Sequence, residues 1–377
     1  MDLKLTETQE ELKQTVRDFL ASEFPSWLVR QLEQDGTGHS PEVWGKITEM
    51  AWTALPFGSE HDGLDGSLMD VAVVAEELAQ AAALTPYVPT LLAGLAVQCA
   101  GSDQLKDRFL RGICDGSIVM SVAFVEAAGS YEPQHVHLSA SKRGDNYVLN
   151  GTKLFVEQAT AADELICVAR SSENGADATS GITLFVVPTD APGVSVESLA
   201  VIGGDPQSEV IFADVEVSAD RVLGVVGEGW ATVEWLLEVA RTLASMELVG
   251  FAQRALDMTV DYVGYREAFG RPIGSFQAVQ HHCANMAMAV EGARWATYEA
   301  LWLLDEGKDA AYQSAAAKAA ANIAGREVTM MAHQLHGGIG YMEEFDLQLY
   351  SRRAKGWELK WGTPDQMFLE VAATLGV

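Results

Sequence analysis

The sequence predicts an α+β protein, mainly α, in which two helical regions flank a β-rich one. Apolar residues recur with a helical period up to Cys114 and again from Trp230 onward. Between them, short runs rich in β-branched residues are separated by Gly, Asn, Asp and Pro. The predicted domains are an N-terminal helical domain at 1–116, a middle β domain at 117–226 and a C-terminal helical bundle at 227–377.

The first region opens on an amphipathic helix. Apolar residues from Leu5 to Phe24 follow a helical spacing, and Thr8 with Glu11 fits a capping box near its start. Gly- and Pro-containing breaks separate the helical patterns that follow. These patterns cover Val43–Trp52, Leu68–Ala83, Pro89–Cys99 and Asp103–Cys114.

The sequence pattern of the middle region predicts an antiparallel β domain. Its β-branched runs are SIVMSVAFV, HVHLSAS, NYVLNGTKLFV, ELICVAR, ITLFVVP and SEVIFADVEV. The small, polar segment from Ser171 to Gly181 lies between two of these runs, and we expect it to be a hairpin loop.

Three long segments of period 3.6 predict a helical bundle at the C-terminal end. They cover Trp230–Glu267, Phe276–Glu306 and Asp309–Leu335. Two shorter helices follow, separated by a turn in which Gly362 is a stop signal and Thr363 is an N-cap before Pro364. This polar turn begins at Trp361, which is unusual for such a position.

Composition and charge exclude several classes of function. With 53 acidic and 25 basic residues, the formal net charge of −28 argues against nucleic acid or an anionic membrane as the main partner. The four cysteines lie far apart, and no third donor accompanies the His281–His282 or His333–His336 pair, so no disulfide framework or metal site is expected. A reducing cytoplasm fits this cysteine usage, and no run of 18 apolar residues predicts membrane insertion.

The most specific string is REAFGRPIGSFQ, at 266–277, between two predicted bundle helices. By itself it reads as a turn made by Gly270 and Pro272 with apolar residues packed around it. As a whole the string resembles the acyl-CoA dehydrogenase family, flavoproteins that take a hydride and a proton from a fatty acyl thioester. Four further segments are similar to that family: 150–170, 184–194, 212–224 and QLHGGIGY at 334–341. The resemblance implies a helical domain, a middle β-barrel domain and a four-helix bundle.

The resemblance also implies FAD, held between the middle domain of one subunit and the bundle of its neighbour. In the bundle, Arg266 would offer a guanidinium fork to the pyrophosphate, and glycines would let the backbone approach the cofactor. The implied FAD-binding positions are Arg266, Phe269, Phe276, Gln277, Gln334, Gly337, Gly338 and Thr363.

The groups that would face the flavin ring depart from the family pattern. The family's T-E-P-G-A-G-S-D loop is replaced by a shorter one running from Val125 to Tyr131, without the Thr, Pro or Asp. Where the family has Trp-Ile-Thr or Trp-Ile-Ser, this chain has Phe155-Val-Glu157. Glu157 is therefore expected to place a negative charge beside the ring edge that accepts hydride.

Both positions of the family's catalytic base lack a carboxylate, so no catalytic residue is predicted. The Glu of the family's Y-E-G-T turn aligns with Trp361, and the alternative Glu before an arginine aligns with Ala240. Glu247 lies two turns further along the same helix face, about 10.5 Å from Ala240 along the axis, too far for the same proton transfer. Asp365 most simply stabilises the start of the last helix.

These features predict a base-lacking subunit of a heteromeric acyl-CoA dehydrogenase, which desaturates the α,β bond of an acyl-CoA thioester in a heterotetramer with a paralogous subunit. By resemblance to actinobacterial members, the acyl group is expected to be a bulky steroid side chain and the electron acceptor an electron-transfer flavoprotein. A reduced-flavin monooxygenase of the same fold and a non-redox acyl-CoA-binding or structural subunit remain the alternatives.

Overall fold

The computed structural model describes residues 4–36, 38–171 and 177–376, so residues 172–176 of the predicted hairpin loop lie outside the described residues. The N-terminal helices are α1 (Glu7–Glu23), α2 (Ser26–Gln34), α3 (Pro41–Glu49), α4 (Leu68–Gln80), α5 (Tyr87–Ala100) and α6 (Asp103–Cys114). The bundle helices are α7 (Trp230–Tyr265), α8 (Gln277–Asp305), α9 (Ala311–His336), α10 (Leu347–Leu359) and α11 (Pro364–Leu375). The predicted helical regions on both sides of the β domain are therefore confirmed.

The start of α1 differs from the prediction by two residues. Its N-cap is Thr6, whose side chain accepts a hydrogen bond from the amide of Gln9, and the Gln9 side chain accepts one from the Thr6 amide. The capping box is thus made by Thr6 and Gln9, and the expected pair of Thr8 and Glu11 is wrong. Gln at the third helical position serves as well as Glu because both side chains present an acceptor oxygen.

The middle domain is one mixed sheet. Its strands are β1 (Met120–Ala123), β2 (Ser139–Arg143), β3 (Asn146–Glu157), β4 (Glu164–Arg170), β5 (Ile182–Pro188), β6 (Val194–Leu199), β7 (Gln207–Ser218) and β8 (Val222–Leu223). The strand order is β6-β7-β3-β2-β4-β5-β8, with β1 paired to β4. Most pairs are antiparallel as predicted, but β1 and β4 run parallel because an excursion containing β2 and β3 separates them.

The apolar surfaces of these elements merge into one core that crosses all three regions. Most residues of α4 and α5 are buried, because α4 packs between α1 and the bundle helix α7, and α5 packs against β1, α6 and α7. The REAFGRPIGSFQ string forms a two-stranded ribbon of β9 (Glu267–Ala268) and β10 (Arg271–Pro272) between α7 and α8. No helix among the described residues is long and apolar enough to cross a membrane.

Candidate active site

A cavity of about 450 Å³ lies where the sheet, α5 and the turn between α10 and α11 meet. We call it the large cavity, although a more open cleft of about 650 Å³ lies elsewhere, beside α1, α4 and α7. Its walls are mainly apolar and aromatic. Prominent lining residues are Pro89, Leu92, Val122, Phe124, Val125, Tyr131, Leu154, Phe155, Trp361 and Thr363. Mostly apolar walls with a few polar groups are typical of ligand sites.

The turn that closes one side of the large cavity has a constrained backbone. Trp361 adopts φ of +58° and Gly362 adopts φ of +127°. A left-handed conformation is uncommon for a bulky residue and is typically found where surrounding contacts enforce it, often at functional sites. Phe155, on the opposite wall, also has a positive φ, of +56°.

Buried side chains from α7 and α9 hold this turn through its carbonyl groups. Arg241 Nε donates to the carbonyl of Trp361 over 3.1 Å. Lys318 Nζ and Asn322 Nδ2 both donate to the carbonyl of Gly362, over 3.3 and 3.1 Å. Burial lowers the pKa of Lys318 well below its ordinary value. The turn is therefore fixed by its backbone, independently of the side chain at position 361.

Three aromatic rings lie in sequence along the wall of the large cavity. The Tyr131 ring stacks on Phe124 with a centroid distance of 5.5 Å, and it lies 5.3 Å from the Trp361 ring. The Tyr131 hydroxyl accepts a hydrogen bond of 2.9 Å from the Trp361 amide. Burial raises the pKa of Tyr131 to about 12, so its phenol is neutral at physiological pH.

Glu157 lines the large cavity but is not an isolated anion. Its Oε2 lies 2.8 Å from Lys360 Nζ, and the same ammonium lies 2.8 Å from Asp205 Oδ2. Burial acts to lower the pKa of Lys360, but the Asp205 and Glu157 carboxylates outweigh it and raise that pKa above its ordinary value. Glu157 therefore brings a carboxylate to the large cavity, as the sequence predicts, but this carboxylate shares the Lys360 ammonium with Asp205.

The other positions considered for a catalytic base do not line the large cavity. The alternative base position, Ala240, is buried in α7, and the Glu247 carboxylate lines a separate, smaller cavity. Asp365 is exposed in the first turn of α11, as expected for a residue that stabilises a helix start. Within the described part of the chain, Glu157 is the sole carboxylate among the residues that line the large cavity.

Thr363 is the one implied FAD-binding residue that reaches the large cavity. It is the N-cap of α11, where its side chain accepts from the amide of Gln366 and its own amide donates to the Gln366 side chain over 2.9 Å. This confirms the predicted N-cap before Pro364. The remaining implied positions lie elsewhere, at the ends of the bundle helices.

Those seven positions form two groups at the ends of α7 and α9, which we call the bundle-end surface. Arg266, Phe269, Phe276 and Gln277 lie on or beside the ribbon, and Gln334, Gly337 and Gly338 lie at the end of α9. The two helix ends are adjacent, since Tyr262 of α7 stacks on His336 of α9 at 4.5 Å. The structure thus places these residues at one end of the bundle, away from the chain's own large cavity.

The bundle-end surface is unusually exposed. Phe269 is 95% exposed and makes only an edge contact with Phe276, at 6.1 Å. The Arg266 side chain is exposed and has no hydrogen-bond or ion-pair partner among the described residues. Gly337 has φ of +62°, and open space surrounds the Cβ positions of Gly337 and Gly338. An exposed guanidinium beside open backbone and the exposed ring of Phe269 is suited to an anionic, planar ligand.

Several site residues escape sequence reasoning. Asp205 carries no motif, and Lys360 belongs to a basic run that gives no sign of its ion pairs. Lys318 and Asn322 sit one helical turn apart, which marks a shared face, but only the fold shows that this face meets the turn. Among the described residues, no cluster of His, Cys, Asp or Glu is arranged to hold a metal ion.

Comparisons with known proteins place the whole chain in one family. The N-terminal, middle and C-terminal domain models of acyl-CoA dehydrogenase match residues 6–117, 121–215 and 227–376. The cyclohex-1-ene-1-carbonyl-CoA dehydrogenase of Geobacter metallireducens is 32% identical, over 95% of each chain. Butyryl-CoA dehydrogenase from Megasphaera elsdenii has a similar structure, with a TM-score of 0.94, 26% identity and complete coverage of both chains.

A second similar structure is a chain of the ChsE4–ChsE5 complex from Mycobacterium tuberculosis, with a TM-score of 0.91 and 25% identity, covering 100% of this chain and 99% of that one. Members of the matched family are FAD-dependent flavoproteins, and homologues in it are oxidoreductases. This protein belongs to the acyl-CoA dehydrogenase family.

Proposed function

We propose that this chain is the base-lacking subunit of a heteromeric, FAD-dependent acyl-CoA dehydrogenase of the cytoplasm. Desaturation of the acyl-CoA thioester takes place in a site whose base and flavin-ring contacts come from a paralogous subunit. The observation that carries the proposal is Trp361, which stands at the family's base position within a turn whose backbone is fixed.

The missing base has a large kinetic consequence. Removal of the proton beside the thioester carbonyl needs a carboxylate within reach, and a general base of this kind contributes about 10²- to 10⁴-fold to the rate. The indole of Trp361 carries no group that accepts a proton, and Glu157 is held by Lys360. The wall of the large cavity therefore offers no free carboxylate for this step.

The bundle-end surface fits the dinucleotide half of FAD. Arg266 would pair with the pyrophosphate through two parallel N–H donors, and Gln334 with Gly337 and Gly338 would bring backbone against it. Phe269 and Phe276 supply apolar contact around this charged group. When bound, FAD supplies the hydride acceptor of the reaction. None of these residues lines the chain's own large cavity, so the cofactor they hold would belong to a partner's site.

The similarity to a chain of the ChsE4–ChsE5 complex supports an assembly of two different subunits. We propose a heterotetramer with a paralogue, with an electron-transfer flavoprotein as electron acceptor. The chain resembles actinobacterial family members in which a catalytic and a non-catalytic subunit share one site. By this resemblance, the acyl group would be a bulky steroid side chain. The domain bounds at 116 and 226 remain part of this proposal.

Purification with and without a paralogue tests the proposal. The paralogue should be one that is encoded nearby and that retains Glu at the position of Trp361. The chain made alone should contain little FAD and should not oxidise acyl-CoA thioesters. The co-purified pair should contain one FAD per heterodimer and reduce an artificial electron acceptor when acyl-CoA is added.

Other outcomes of this purification would refute the proposal. A yellow homo-oligomer that oxidises acyl-CoA by itself would show that the chain needs no partner. Acyl-CoA binding by a complex that contains no flavin would instead support a non-redox role. Oxygen consumption with supplied reduced flavin, without acyl-CoA oxidation, would identify a monooxygenase.

A further inference from the structure

A second, much smaller cavity lies behind the wall of the large one. It has a volume of about 40 Å³ and is enclosed by α4, α7, α10, the end of β3 and the loop before β7. Glu157 lines both cavities and therefore forms part of the partition between them. About 10–15 Å³ is enough for one water molecule, so the small cavity has room for two or more.

Four buried polar atoms on residues of the small cavity have no hydrogen-bond partner among the described residues. They are Gln158 Oε1, Asp205 Oδ1, Arg353 Nε and Trp357 Nε1. The four residues are 4%, 7%, 1% and 6% exposed. Leaving a buried polar group without a hydrogen bond costs about 1–3 kcal/mol, so four such atoms on residues that line one cavity indicate a shared polar occupant.

The remaining atoms of these side chains are fixed. Arg353 donates to the Ala82 carbonyl and to Glu33, and the Gln158 amide donates to the carbonyl of Gly38 over 3.2 Å. Asp205 Oδ2 accepts from Gln207 and Lys360, which leaves Oδ1 directed elsewhere. Arg353 Nε and Trp357 Nε1 are donors, whereas the other two atoms are acceptors. This mixture suits water, which both donates and accepts, better than a cation.

Glu247, on α7, completes the lining of the small cavity. The groups that influence its carboxyl come from each neighbouring element: Lys360 from the turn, Glu157 from β3, Asp205 from the loop before β7 and Trp357 from α10. Burial raises the pKa of Glu247 to about 8, against the opposing effect of the Lys360 ammonium. Its carboxyl group therefore carries a proton at neutral pH.

We propose that the small cavity holds hydrogen-bonded water that connects Glu247 to the Glu157–Lys360 ion pair, and that Glu247 is the proton-holding acid of this network. When the Glu247 carboxyl group loses its proton, the proton moves through this water to solvent. The ionised carboxylate then adds one negative charge behind the wall of the large cavity. Glu247 is thus a positioning residue, which acts on the charge of Glu157 and Lys360. This inference does not depend on the proposed division of labour between subunits.

Infrared titration of the full-length chain tests this proposal. A protonated carboxyl group has a carbonyl stretch that the carboxylate lacks, so wild type should lose one such band as the pH passes about 8. Glu247→Gln should remove that band. Glu157→Gln should keep it but lower its midpoint, since the Glu157 charge raises the pKa of Glu247.

Glu238→Gln is the matched control, because Glu238 lies on the same helix and burial raises its pKa to about 7. It does not line the small cavity, so its removal should leave the Glu247 midpoint unchanged. High-resolution diffraction from wild-type crystals should show ordered water within hydrogen-bond distance of Asp205 Oδ1 and Arg353 Nε. A small cavity free of water, or a Glu247 carboxyl ionised throughout the titration, would overturn the proposal.

Discussion

The backbone amide of Trp361 donates a 2.9 Å hydrogen bond to the hydroxyl of Tyr131, and the rings of these two residues lie 5.3 Å apart. Tyr131 belongs to the shortened loop that departs from the family's flavin-facing pattern, and Trp361 stands at the base position. The two departures therefore contact each other. Since each ring packs against the other, we expect the two positions to be energetically coupled.

Replacement of Trp361 by Glu tests whether the base is all that the chain lacks. We expect Trp361→Glu to leave the chain, made alone, without acyl-CoA oxidation, because Tyr131 and the Glu157–Lys360 pair still form the flavin-facing wall. A restored base would otherwise raise the rate by about 10²- to 10⁴-fold. The measurement is flavin content and acyl-CoA-dependent dye reduction. Substantial activity of the variant alone would show that the flavin-facing groups are sufficient as they stand.

Arg241 should contribute strongly to stability. Its guanidinium bonds the Trp361 carbonyl and both carboxylate oxygens of Glu370, and it is 8% exposed. Arg241→Met should lower the free energy of unfolding by about 1–3 kcal/mol, because a buried carbonyl loses its charged donor. The matched control is Arg143→Met, whose exposed pair with Glu216 should cost less than about 1 kcal/mol. Equal losses in urea unfolding would show that the bond to the turn contributes little.

Much of the fold could be predicted because long periodic segments, and the Gly and Pro residues that separate them, are local features of the sequence. The helix α7 and the N-cap at Thr363 depend on residues within a few positions of each other. The sequence does not predict strand β6, because its exposed positions make its pattern polar. It does not predict α2 either, because this helix begins directly after Pro25 without a side-chain cap. The parallel pairing of β1 with β4 depends on how the chain returns after β2 and β3, and no local sequence pattern predicts this.

The candidate site could be predicted only where motifs carry it. The family pattern locates Trp361 and Glu157, but the partners of these residues come from distant parts of the chain. Lys360 is 203 residues from Glu157, and no spacing rule relates the two. The sequence therefore predicts the carboxylate of Glu157 but not the ammonium of Lys360 that pairs with it.

Replacement of Arg266 tests whether this residue contributes to FAD binding. In the complex with a paralogue, we expect Arg266→Ala to weaken FAD binding, since an ion-assisted hydrogen bond is worth about 1.5–3 kcal/mol, or roughly 10- to 100-fold in Kd. FAD content after gel filtration and the fluorescence of released flavin measure this. Arg143→Ala is the control, because Arg143 is exposed and pairs with Glu216 on the sheet. An unchanged affinity in Arg266→Ala would remove Arg266 from the FAD site.

The pH dependence of stability should carry the signature of Glu247. The folded chain keeps this carboxyl protonated up to about pH 8, whereas the unfolded chain releases the proton near the ordinary value of 4.5. Between these values the folded state binds more protons, so the unfolding free energy falls as the pH rises. Glu247→Gln should make that slope shallower by up to one proton, as measured by urea unfolding across the range. A slope identical to that of wild type would contradict the assignment.

The turn between α10 and α11 is held by Arg241, Lys318 and Asn322 through carbonyl oxygens, which every amino acid provides. These bonds therefore do not depend on which side chain stands at position 361. On the proposed division of labour, a duplicated gene encoding this architecture could exchange a proton acceptor for an indole without losing the bonds that hold the turn. The reactive copy and the supporting copy would then differ in a side chain while the backbone of the turn stays the same.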